Sequence, residues 1–432
     1  MNKVGPSKAN PSRFVCLLLL GATASASAQS LPQVSPEKVG LSSERLNRIR
    51  PAMERDIAEG EMAGAIGLIS RHGKIAYFET YGMADREGNR PMTKDAIFRM
   101  YSMTKAIVAV SVMTLYEEGR FSLRDPISKY LPEFKNMKVA VDKTDAATGK
   151  RVYYTVPAER EITILDLMRH TSGLNYTGPR DGNGELIYKQ VLGNMHYPLA
   201  EFVKRLASAP LVHQPGTIWD YSYSIDVLAR LVEVVSGKSI DEYFAEHIFQ
   251  PLRMIDTGYF VPEAKWNRLA ALYVPNPGGI AKRSDSPAQE SYKKKPVLMM
   301  GGSGLVSTAS DYARFVQMLL NGGELDGARI LSPKTVDLMR SNLLGDIPSV
   351  NNVNGRIGYG FGLTFAVNLG IDKTAAIGSK GEYNWGGAAG TAFWIDPTED
   401  MIGVFMIQVM PMRTVKEQFK QLAYQAIVSE EK

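Results

Sequence analysis

The pattern of apolar and polar positions changes twice along the chain. Near the N-terminus, two apolar runs on either side of a polar turn predict a β-hairpin over residues 65–81. Beyond residue 355, short runs rich in aromatic and β-branched residues are bounded by glycine or proline. They predict strands at 360–367, 391–395 and 401–409. Strand-like sequence therefore occurs towards both ends of the chain.

Helical periodicity dominates elsewhere. Between residues 120 and 345 the sequence has the character of helices joined by loops that contain proline and glycine, apart from a small hairpin at 138–160. The stretch 102–118 is almost continuously apolar, so it is too long for a strand and predicts a buried helix. The other helices are predicted at 41–58, capped by Ser42 or Ser43, at 224–236 and at 414–429.

This order of elements predicts an α+β fold rather than the βαβ alternation of a parallel sheet. We expect one antiparallel sheet flanked by helices, built from residues 29–120 and 350–432. A mostly helical domain of residues 121–349 is inserted between these two segments. Sites in such proteins tend to lie in the crevice between the two parts.

Composition and charge limit the classes of function. The chain has 432 residues, of which 44% are hydrophobic and 22% charged, which excludes wholesale disorder. The 50 basic and 45 acidic side chains give a net charge of only +5, and no charge block has the length of a nucleic-acid-binding tail. We therefore expect no nucleic-acid partner.

The first residues have the pattern of a secretory signal peptide. Basic side chains precede an apolar run at 14–22, and Ala26-Ser27-Ala28 is a small-x-small cleavage site. The apolar run is too short to span a bilayer. We predict that residues 1–28 are removed and that the mature protein is periplasmic or secreted, without stable membrane insertion. Removal would also take away Cys16, the only cysteine, and with it any disulfide or cysteine-ligated metal.

Several common sites have no motif in this sequence. The five histidines are scattered and form no His-Glu-x-x-His, so no metal is expected. Neither glycine-rich nucleotide motif is present, and no cofactor is predicted. The segment Gly301-Gly302-Ser303-Gly304 is interpreted as a tight turn before a helix, because no lysine follows it. The G-x-S-x-G elbow of α/β-hydrolases is absent.

A serine followed three residues later by a lysine occurs at four places, and Ser102-Met103-Thr104-Lys105 differs from the others by opening the long buried helix. Residues i and i+3 share one face of a helix, so the Lys105 amine can reach the Ser102 hydroxyl. A desolvated lysine can be held neutral and can then accept the serine proton. The start of a helix also offers free N–H groups for an oxyanion. A nucleophile and an ordinary capping serine both fit this spacing.

The residues around this motif, Phe98-Arg99-Met100-Tyr101-Ser102-Met103-Thr104-Lys105, resemble the nucleophile segment of the serine β-lactamase and penicillin-binding-protein superfamily. The similarity is closest to class C β-lactamases and family VIII carboxylesterases. It continues in family order through most of the chain after the signal peptide. The further matching segments are residues 170–174, 215–216, 219–222, 226–228, 301–305, 307–309, 311–312, 315, 385–387 and 393–397.

The resemblance implies a β-lactamase-like fold and assigns roles by position. Ser102 would be the acylated nucleophile, and Lys105 would be its proton acceptor or electrostatic partner. Tyr221 would match the catalytic tyrosine of the family, since a phenol beside an ammonium can act as base and then as acid. The plainer interpretation of Tyr221 is a core aromatic packed near Trp219. His170 is interpreted as a structural histidine that hydrogen-bonds the backbone, because no motif supports a Ser–His pair.

Two departures from the β-lactamase pattern favour an ester substrate. On the strand beside the site, β-lactamases carry Lys-Thr-Gly, whereas this chain has Trp385-Gly386-Gly387-Ala388. An indole thus replaces the cation that would meet a β-lactam carboxylate. The tyrosine motif ends in Tyr223 where β-lactamases have asparagine. Both features resemble the carboxylesterase branch. By the family pattern, the N–H groups of Ser102 and Ala388 would bind the oxyanion.

The sequence therefore predicts an exported serine hydrolase that cleaves small-molecule carboxylic esters of short to medium acyl chain length. The reaction would pass through an acyl-serine intermediate without cofactor or metal, with weak β-lactam hydrolysis as a side activity. The alternative is a β-lactamase or a D-alanyl or D-amino-acid peptidase that acts on cell-wall-type substrates. An acyltransferase is also open, because an acyl-enzyme can pass its acyl group to nucleophiles other than water. A non-catalytic binding protein is disfavoured, since Ser102, Lys105 and Tyr221 are all present.

Overall fold

The computed structural model describes residues 1–2, 5, 30–147, 149, 151–180, 185–276, 279–349, 352–353, 355–411 and 415–428. Apart from residues 1–2 and 5, the predicted signal peptide lies outside the described residues.

The strands and helices are numbered in chain order. The strands are β1 (Gly64–Arg71), β2 (Lys74–Asp85), β3 (Arg90–Pro91), β4 (Phe98–Arg99), β5 (Lys138–Thr144), β6 (Arg151–Pro157), β7 (Tyr273–Asn276), β8 (Gly279–Arg283), β9 (Val306–Ser307), β10 (Glu324–Leu325), β11 (Ala328–Arg329), β12 (Tyr359–Phe361), β13 (Ala366–Asn368), β14 (Tyr383–Gly386), β15 (Ala392–Asp396) and β16 (Met401–Met406). The α-helices are α1 (Ser43–Leu46), α2 (Ile49–Ala58), α3 (Thr104–Glu117), α4 (Ile164–Met168), α5 (Ile187–Leu192), α6 (Leu199–Ala207), α7 (Ser224–Ser236), α8 (Ile240–Phe244), α9 (Ala288–Ser291), α10 (Ala309–Leu320), α11 (Pro333–Met339), α12 (Ile371–Thr374) and α13 (Val415–Tyr424). Short 3-10 turns lie at Pro36–Val39, Tyr101–Met103, Ile127–Lys129, Pro132–Phe134 and Glu263–Arg268, and a π-helical turn lies at Ala245–Phe249.

The described residues form one large antiparallel sheet of eight strands, in the order β12-β13-β14-β15-β16-β1-β2-β3. The sheet joins strands from both ends of the chain, because β1 pairs with β2 on one side and with β16 on the other. In register, Ile66 lies opposite Met406 on β16 and opposite Thr80 on β2. The predicted α+β fold, with a sheet built from both ends and helices between, is confirmed. The division into domains at residues 120 and 350 stays a prediction.

Helices cover both faces of the sheet, which explains why β1 is buried along its whole length. Every residue of β1 is buried, as expected for a central strand with two covered faces. On one face, α2 and α13 pack with Ile69, Trp394 and Phe405. On the other face, α10 packs against β15 and β16 and joins the core that also contains α3 and α7. The buried helix predicted at 102–118 is α3, preceded by a 3-10 turn.

Most of the local predictions from sequence are confirmed, two are wrong in detail, and one strand was not predicted. The hairpin at 65–81, the hairpin at 138–160 and the helix at 224–236 correspond to β1–β2, β5–β6 and α7. The helix predicted at 41–58 is divided into α1 and α2, because a tighter bond from the Arg48 N–H to the Arg45 carbonyl ends α1. The strand predicted at 360–367 is two strands, since the chain reverses where the Gly362 N–H donates to the Phe365 carbonyl. Strand β14 was not predicted from its pattern.

In the described part of the chain, no helix combines the length and the hydropathy that a membrane span requires.

Candidate active site

The segment that leads to Ser102 is held by short strands and passes through an unusual backbone conformation. Strand β4 pairs with β9, and the 3-10 turn Tyr101–Met103 follows directly. Tyr101 has a φ of +45°, a region that non-glycine residues seldom occupy and that is often found at functional sites. Ser102 is partly exposed, while the first turn of α3 behind it is buried. The fold thus presents the Ser102 hydroxyl at the start of a buried helix.

Lys105 is completely buried and reaches Ser102 along the same helical face. Its Nζ atom lies 3.2 Å from the Ser102 Oγ. It also donates a hydrogen bond to the carbonyl oxygen of Gly302. The Nζ atom lies 4.9 Å from the centroid of the Tyr221 ring, so the amine also contacts the face of this aromatic group. The i, i+3 spacing thus has the geometric consequence that the sequence predicts.

Tyr221 lies just before α7, and its ring faces the Lys105 amine from the other side of the site. Its hydroxyl oxygen accepts a hydrogen bond of 3.2 Å from the Trp385 indole N–H. Its ring is 5.2 Å from the Trp385 ring and stacks at 6.3 Å on Trp219. The two interpretations of Tyr221 are therefore compatible, because one face packs on Trp219 while the ring also meets Lys105. The structure brings Ser102, Lys105, Tyr221 and Trp385 together.

The end of β14 approaches the chain just before Ser102 through a glycine contact. A Cβ atom added to Gly387 would lie 2.5 Å from the Met100 carbonyl oxygen and 2.3 Å from the Thr391 hydroxyl. Only glycine permits this approach. Ala388 follows in a turn closed by the Gly390 N–H and the Gly387 carbonyl, and it is partly exposed. Gly386 ends β14 just before this contact, and the place of Ala388 beside Ser102 stays a prediction.

The aromatic wall of the site contains one residue that the sequence did not single out. The Tyr223 ring packs 4.6 Å from Tyr176 and 5.3 Å from Phe202. Tyr176 lies 5.5 Å from the Tyr221 ring, and the Lys105 Nζ is 5.8 Å from its ring centroid. Desolvation by the surrounding side chains, reinforced by Tyr221, raises the pKa of Tyr176 well above its usual range, so its phenol stays neutral. The sequence signal that could have identified Tyr176 is its position two residues after the matching segment 170–174.

His170 is structural, but its partner differs from the prediction. The ring is buried, and its Nδ1 lies 3.0 Å from the Ser222 hydroxyl, so it bonds a side chain rather than the backbone. The ring packs 4.8 Å from Tyr221. Burial lowers the pKa of His170 well below its usual range, and the Lys105 charge lowers it further. A neutral imidazole therefore supports the Tyr221 ring and makes no recorded contact with Ser102.

The glycine segment 301–304 is part of the site rather than only a turn before a helix. The Gly302 carbonyl receives the Lys105 amine, and the Gly302 N–H donates a 2.8 Å hydrogen bond to Asp226 Oδ1. Asp226 belongs to the first turn of α7 and is fully buried. Burial raises its pKa to about 6, although the Lys105 charge acts in the opposite direction. Sequence analysis treated 226–228 only as a matching segment and missed this contact.

Within the described ranges, no cluster of three or more histidine, cysteine, aspartate or glutamate side chains is arranged to hold a metal ion.

Comparison with known proteins places the chain in a family. Residues 47–426 match the family described as Beta-lactamase. Esterase EstB of Burkholderia gladioli is 31% identical over 371 residues, which cover 81% of this chain and 86% of that protein. Protein Rv1367c of Mycobacterium tuberculosis is 35% identical over 363 residues, which cover 82% of this chain and 87% of that protein.

Among solved structures, EstCE1, described as a hydrolase with promiscuous acyltransferase activity, superposes with a TM-score of 0.71 at 26% identity. The match covers 88% of this chain and 99% of that chain. The protein belongs to the β-lactamase family of serine hydrolases and has the β-lactamase-like fold near the family VIII esterases.

Proposed function

We propose that the protein is a carboxylesterase that cleaves small-molecule esters of short to medium acyl chain length through an acyl-Ser102 intermediate. The observation that carries this proposal is the convergence of three side chains on one point. Lys105 Nζ lies 3.2 Å from the Ser102 Oγ and 4.9 Å from the Tyr221 ring, whose hydroxyl is bonded by Trp385. A serine with a buried amine and a phenol beside it meets the requirements of an activated nucleophile.

Acylation follows from this geometry. The Ser102 oxygen attacks the ester carbonyl while its proton passes to Lys105 or Tyr221. The carbonyl oxygen becomes an oxyanion, and by the family pattern the backbone N–H groups of Ser102 and Ala388 would stabilise it. The tetrahedral intermediate then collapses, the alcohol leaves with the proton, and the acyl group remains on Ser102. Water activated by the same base attacks the acyl-enzyme and releases the acid.

The preference for an ester over a β-lactam is supported by Trp385. The indole is 4% exposed and directs its N–H at Tyr221. By the family pattern, it stands where β-lactamases carry a cation. Without that cation, a substrate carboxylate would lose a charge-assisted hydrogen bond. The aromatic rings of Tyr176 and Tyr223 offer apolar contact on the neighbouring side. The esterase among the relatives supports the same preference.

Export is the second part of the proposal. The first 28 residues have the charge, apolar run and cleavage site of a secretory signal peptide. We expect the mature chain to begin at Gln29 in the periplasm or the medium. N-terminal sequencing of the protein purified from a secreting bacterial host tests this, and an intact Met1 in the exported fraction would contradict it.

The alternatives are a β-lactamase or a D-alanyl or D-amino-acid peptidase, and an acyltransferase. The acyltransferase has an observation in its favour, since the EstCE1 structure is described as a hydrolase with this side activity. Comparing kcat/KM for p-nitrophenyl butyrate with that for a chromogenic cephalosporin separates the esterase from the β-lactamase, with Ser102→Ala as control. Faster turnover of the cephalosporin would contradict the esterase proposal. Adding a primary alcohol and analysing the products measures the acyl transfer.

A further inference from the structure

The proposed mechanism makes no use of Asp226, a fully buried carboxyl group at the centre of the site. Its Oδ1 accepts the Gly302 N–H, whereas its Oδ2 is buried without a hydrogen-bond partner. Burying an ionised carboxylate with half of its bonding capacity unused is costly. A carboxyl group retained under these conditions needs a compensating charge close by.

The compensating charge is on the other side of the Gly302 residue. Asp226 holds the N–H of Gly302 while Lys105 donates to its carbonyl, so one peptide residue connects the two side chains. A Cβ atom on Gly302 would lie 2.6 Å from Asp226 Oδ2 and 3.2 Å from Lys105 Nζ. Both charged ends therefore lie near the same side of this glycine.

Nothing else near Asp226 supplies a positive charge in the part of the chain that the structure describes. The other titratable groups that interact with it are the phenols of Tyr176, Tyr223 and Tyr259, whose pKa values are raised by burial. On the other helices packed on α7, Asp166 pairs with Arg160, Glu201 with Arg205, and Asp241 with Lys295.

We propose that Asp226 is a positioning residue for Lys105: its carboxylate fixes the Gly302 peptide that receives the Lys105 amine and supplies the counter-charge that keeps this amine an ammonium. The inference rests on the proposed function. The sequence leaves two roles open for Lys105, proton acceptor or electrostatic partner of Ser102, and the inference assigns it the second. An ammonium donates to the Ser102 oxygen and stabilises the negative charge that develops there during attack.

Two variants of Asp226 separate charge from hydrogen bonding. Asp226→Asn keeps an oxygen that can accept the Gly302 N–H but removes the charge, whereas Asp226→Ala removes both. We expect Asp226→Asn to lower kcat/KM for p-nitrophenyl butyrate by about ten-fold or more at pH 7.5, mainly through kcat. If Asp226 served only as the acceptor for Gly302, Asp226→Asn would behave as the wild type and only Asp226→Ala would lose activity. That result would overturn the proposal.

The pH profile of kcat/KM distinguishes the proposed charge of Asp226 from a merely structural role, which would leave the profile unchanged. In the wild type, kcat/KM should fall on acidification as Asp226 becomes protonated, with an apparent midpoint near pH 6. This limb should be absent or displaced in Asp226→Asn. Glu233→Gln, on the same helix but in a pair with Arg230, should keep the wild-type profile. An identical acid limb in Asp226→Asn would contradict the proposal.

Gly302→Ala tests the connection without changing any charge. Its methyl group would press on both Asp226 and Lys105, and we expect a loss of kcat/KM similar to that of Asp226→Asn. Gly258→Ala is the matched control, because the nearest atom to its added carbon is 3.9 Å away. Wild-type kinetics in a folded Gly302→Ala protein, checked by circular dichroism, would count against the proposal.

A fluorophosphonate probe distinguishes failure of this inference from failure of the proposed function. The probe labels an activated serine whether or not esters are the natural substrate, so its second-order rate on Ser102 is measured against pH in the wild type and in Asp226→Asn. Slower labelling in Asp226→Asn without ester turnover by the wild type would support the inference and contradict the esterase. Equal labelling of the wild type and Asp226→Asn, together with rapid ester turnover by the wild type, would contradict the inference and support the esterase. Absence of Ser102 labelling in the wild type would overturn both.

Discussion

At the scale of single residues, the site depends on the contacts of Lys105. This side chain is 0% exposed and connects the Ser102 hydroxyl, the Gly302 carbonyl and the Tyr221 ring. Burying an amine is costly unless its N–H groups have partners to interact with. Each of these contacts involves the proposed nucleophile or the groups that would handle its proton.

Replacing Lys105 should therefore remove activity without removing the fold. Methionine has a similar length and no charge, so Lys105→Met should lower kcat/KM for p-nitrophenyl butyrate by about 10³-fold. Lys94→Met, which changes a lysine that packs on Phe78 away from the site, should retain activity. Steady-state kinetics of both variants test this, and an active Lys105→Met enzyme would remove the lysine from the mechanism.

Asp226 should also make stability depend on pH. Its pKa in the folded protein is raised to about 6 from a usual value of 3.8, so the folded state holds the proton more tightly than the unfolded state. This stabilisation is fully present below about pH 4 and is lost as the pH rises through about 6. Relative to Asp226→Asn, the wild type should lose roughly 2 kcal/mol of unfolding free energy between pH 4.5 and 7.

Urea unfolding of both proteins across this pH range measures the difference. Glu233→Gln serves as the reference for an acid of the same helix that is 13% exposed and paired with Arg230. If the difference in unfolding free energy between the wild type and Asp226→Asn did not change with pH, Asp226 would have an ordinary pKa in the folded protein.

At the scale of elements, β14 positions one side of the site against the turn that carries Ser102. Trp385 on this strand bonds Tyr221, and Gly387 just beyond it contacts the Met100 carbonyl. The sequence pattern did not predict this strand, because it is short and ends in glycines. Gly387 is required by the close approach of the two backbones, which is a tertiary contact that no local pattern shows.

Two neighbouring glycines of this strand give a matched test. Gly387→Ala would place a carbon 2.5 Å from the Met100 carbonyl and displace Ala388 from Ser102. We expect kcat to fall by about 10²-fold with little change in KM, as for loss of an oxyanion donor. At Gly386 the nearest atom is 3.0 Å away, so Gly386→Ala should be affected much less. Equal kinetics of the two variants would contradict the placement of the oxyanion site.

At the scale of the whole molecule, the last helix is tied to the sheet by a buried polar group. Lys420 of α13 donates a 2.6 Å hydrogen bond to Glu382, and the Tyr424 hydroxyl donates to Asp396 at 2.7 Å. Glu382 is fully buried, and this burial raises its pKa although Lys420 opposes the shift. Because Glu382 directly precedes β14, this group supports the strand that carries Trp385.

Breaking this pair should destabilise the fold in a pH-dependent way. Lys420→Met leaves the Glu382 carboxylate buried without its cation and should cost about 3 kcal/mol at pH 8. The cost should be smaller at pH 5, because Glu382 can then take up a proton. Lys334→Met, which changes a 94% exposed partner of a surface pair, should cost almost nothing. Urea unfolding at both pH values tests this, and equal costs for the two variants would contradict it.

The sequence predicted those parts of the molecule whose signal is local. The hairpin β1–β2 and helix α7 follow from apolar periodicity and glycine turns, and the spacing of Ser102 and Lys105 follows from helix geometry. Tyr176, Asp226 and Gly302 were not predicted as site residues, because they come from separate loops and helices that only the folded chain brings together. His170 shows the same limit, since its partner Ser222 is 52 residues away.

The measurement that tests the central claim most directly is mass spectrometry of the protein during turnover of p-nitrophenyl butyrate. The account predicts a butyryl adduct on the peptide that contains Ser102, absent in Ser102→Ala, and rapid ester cleavage beside slow cleavage of a chromogenic cephalosporin. Ester cleavage that persists in Ser102→Ala, or an adduct on another residue, would contradict it.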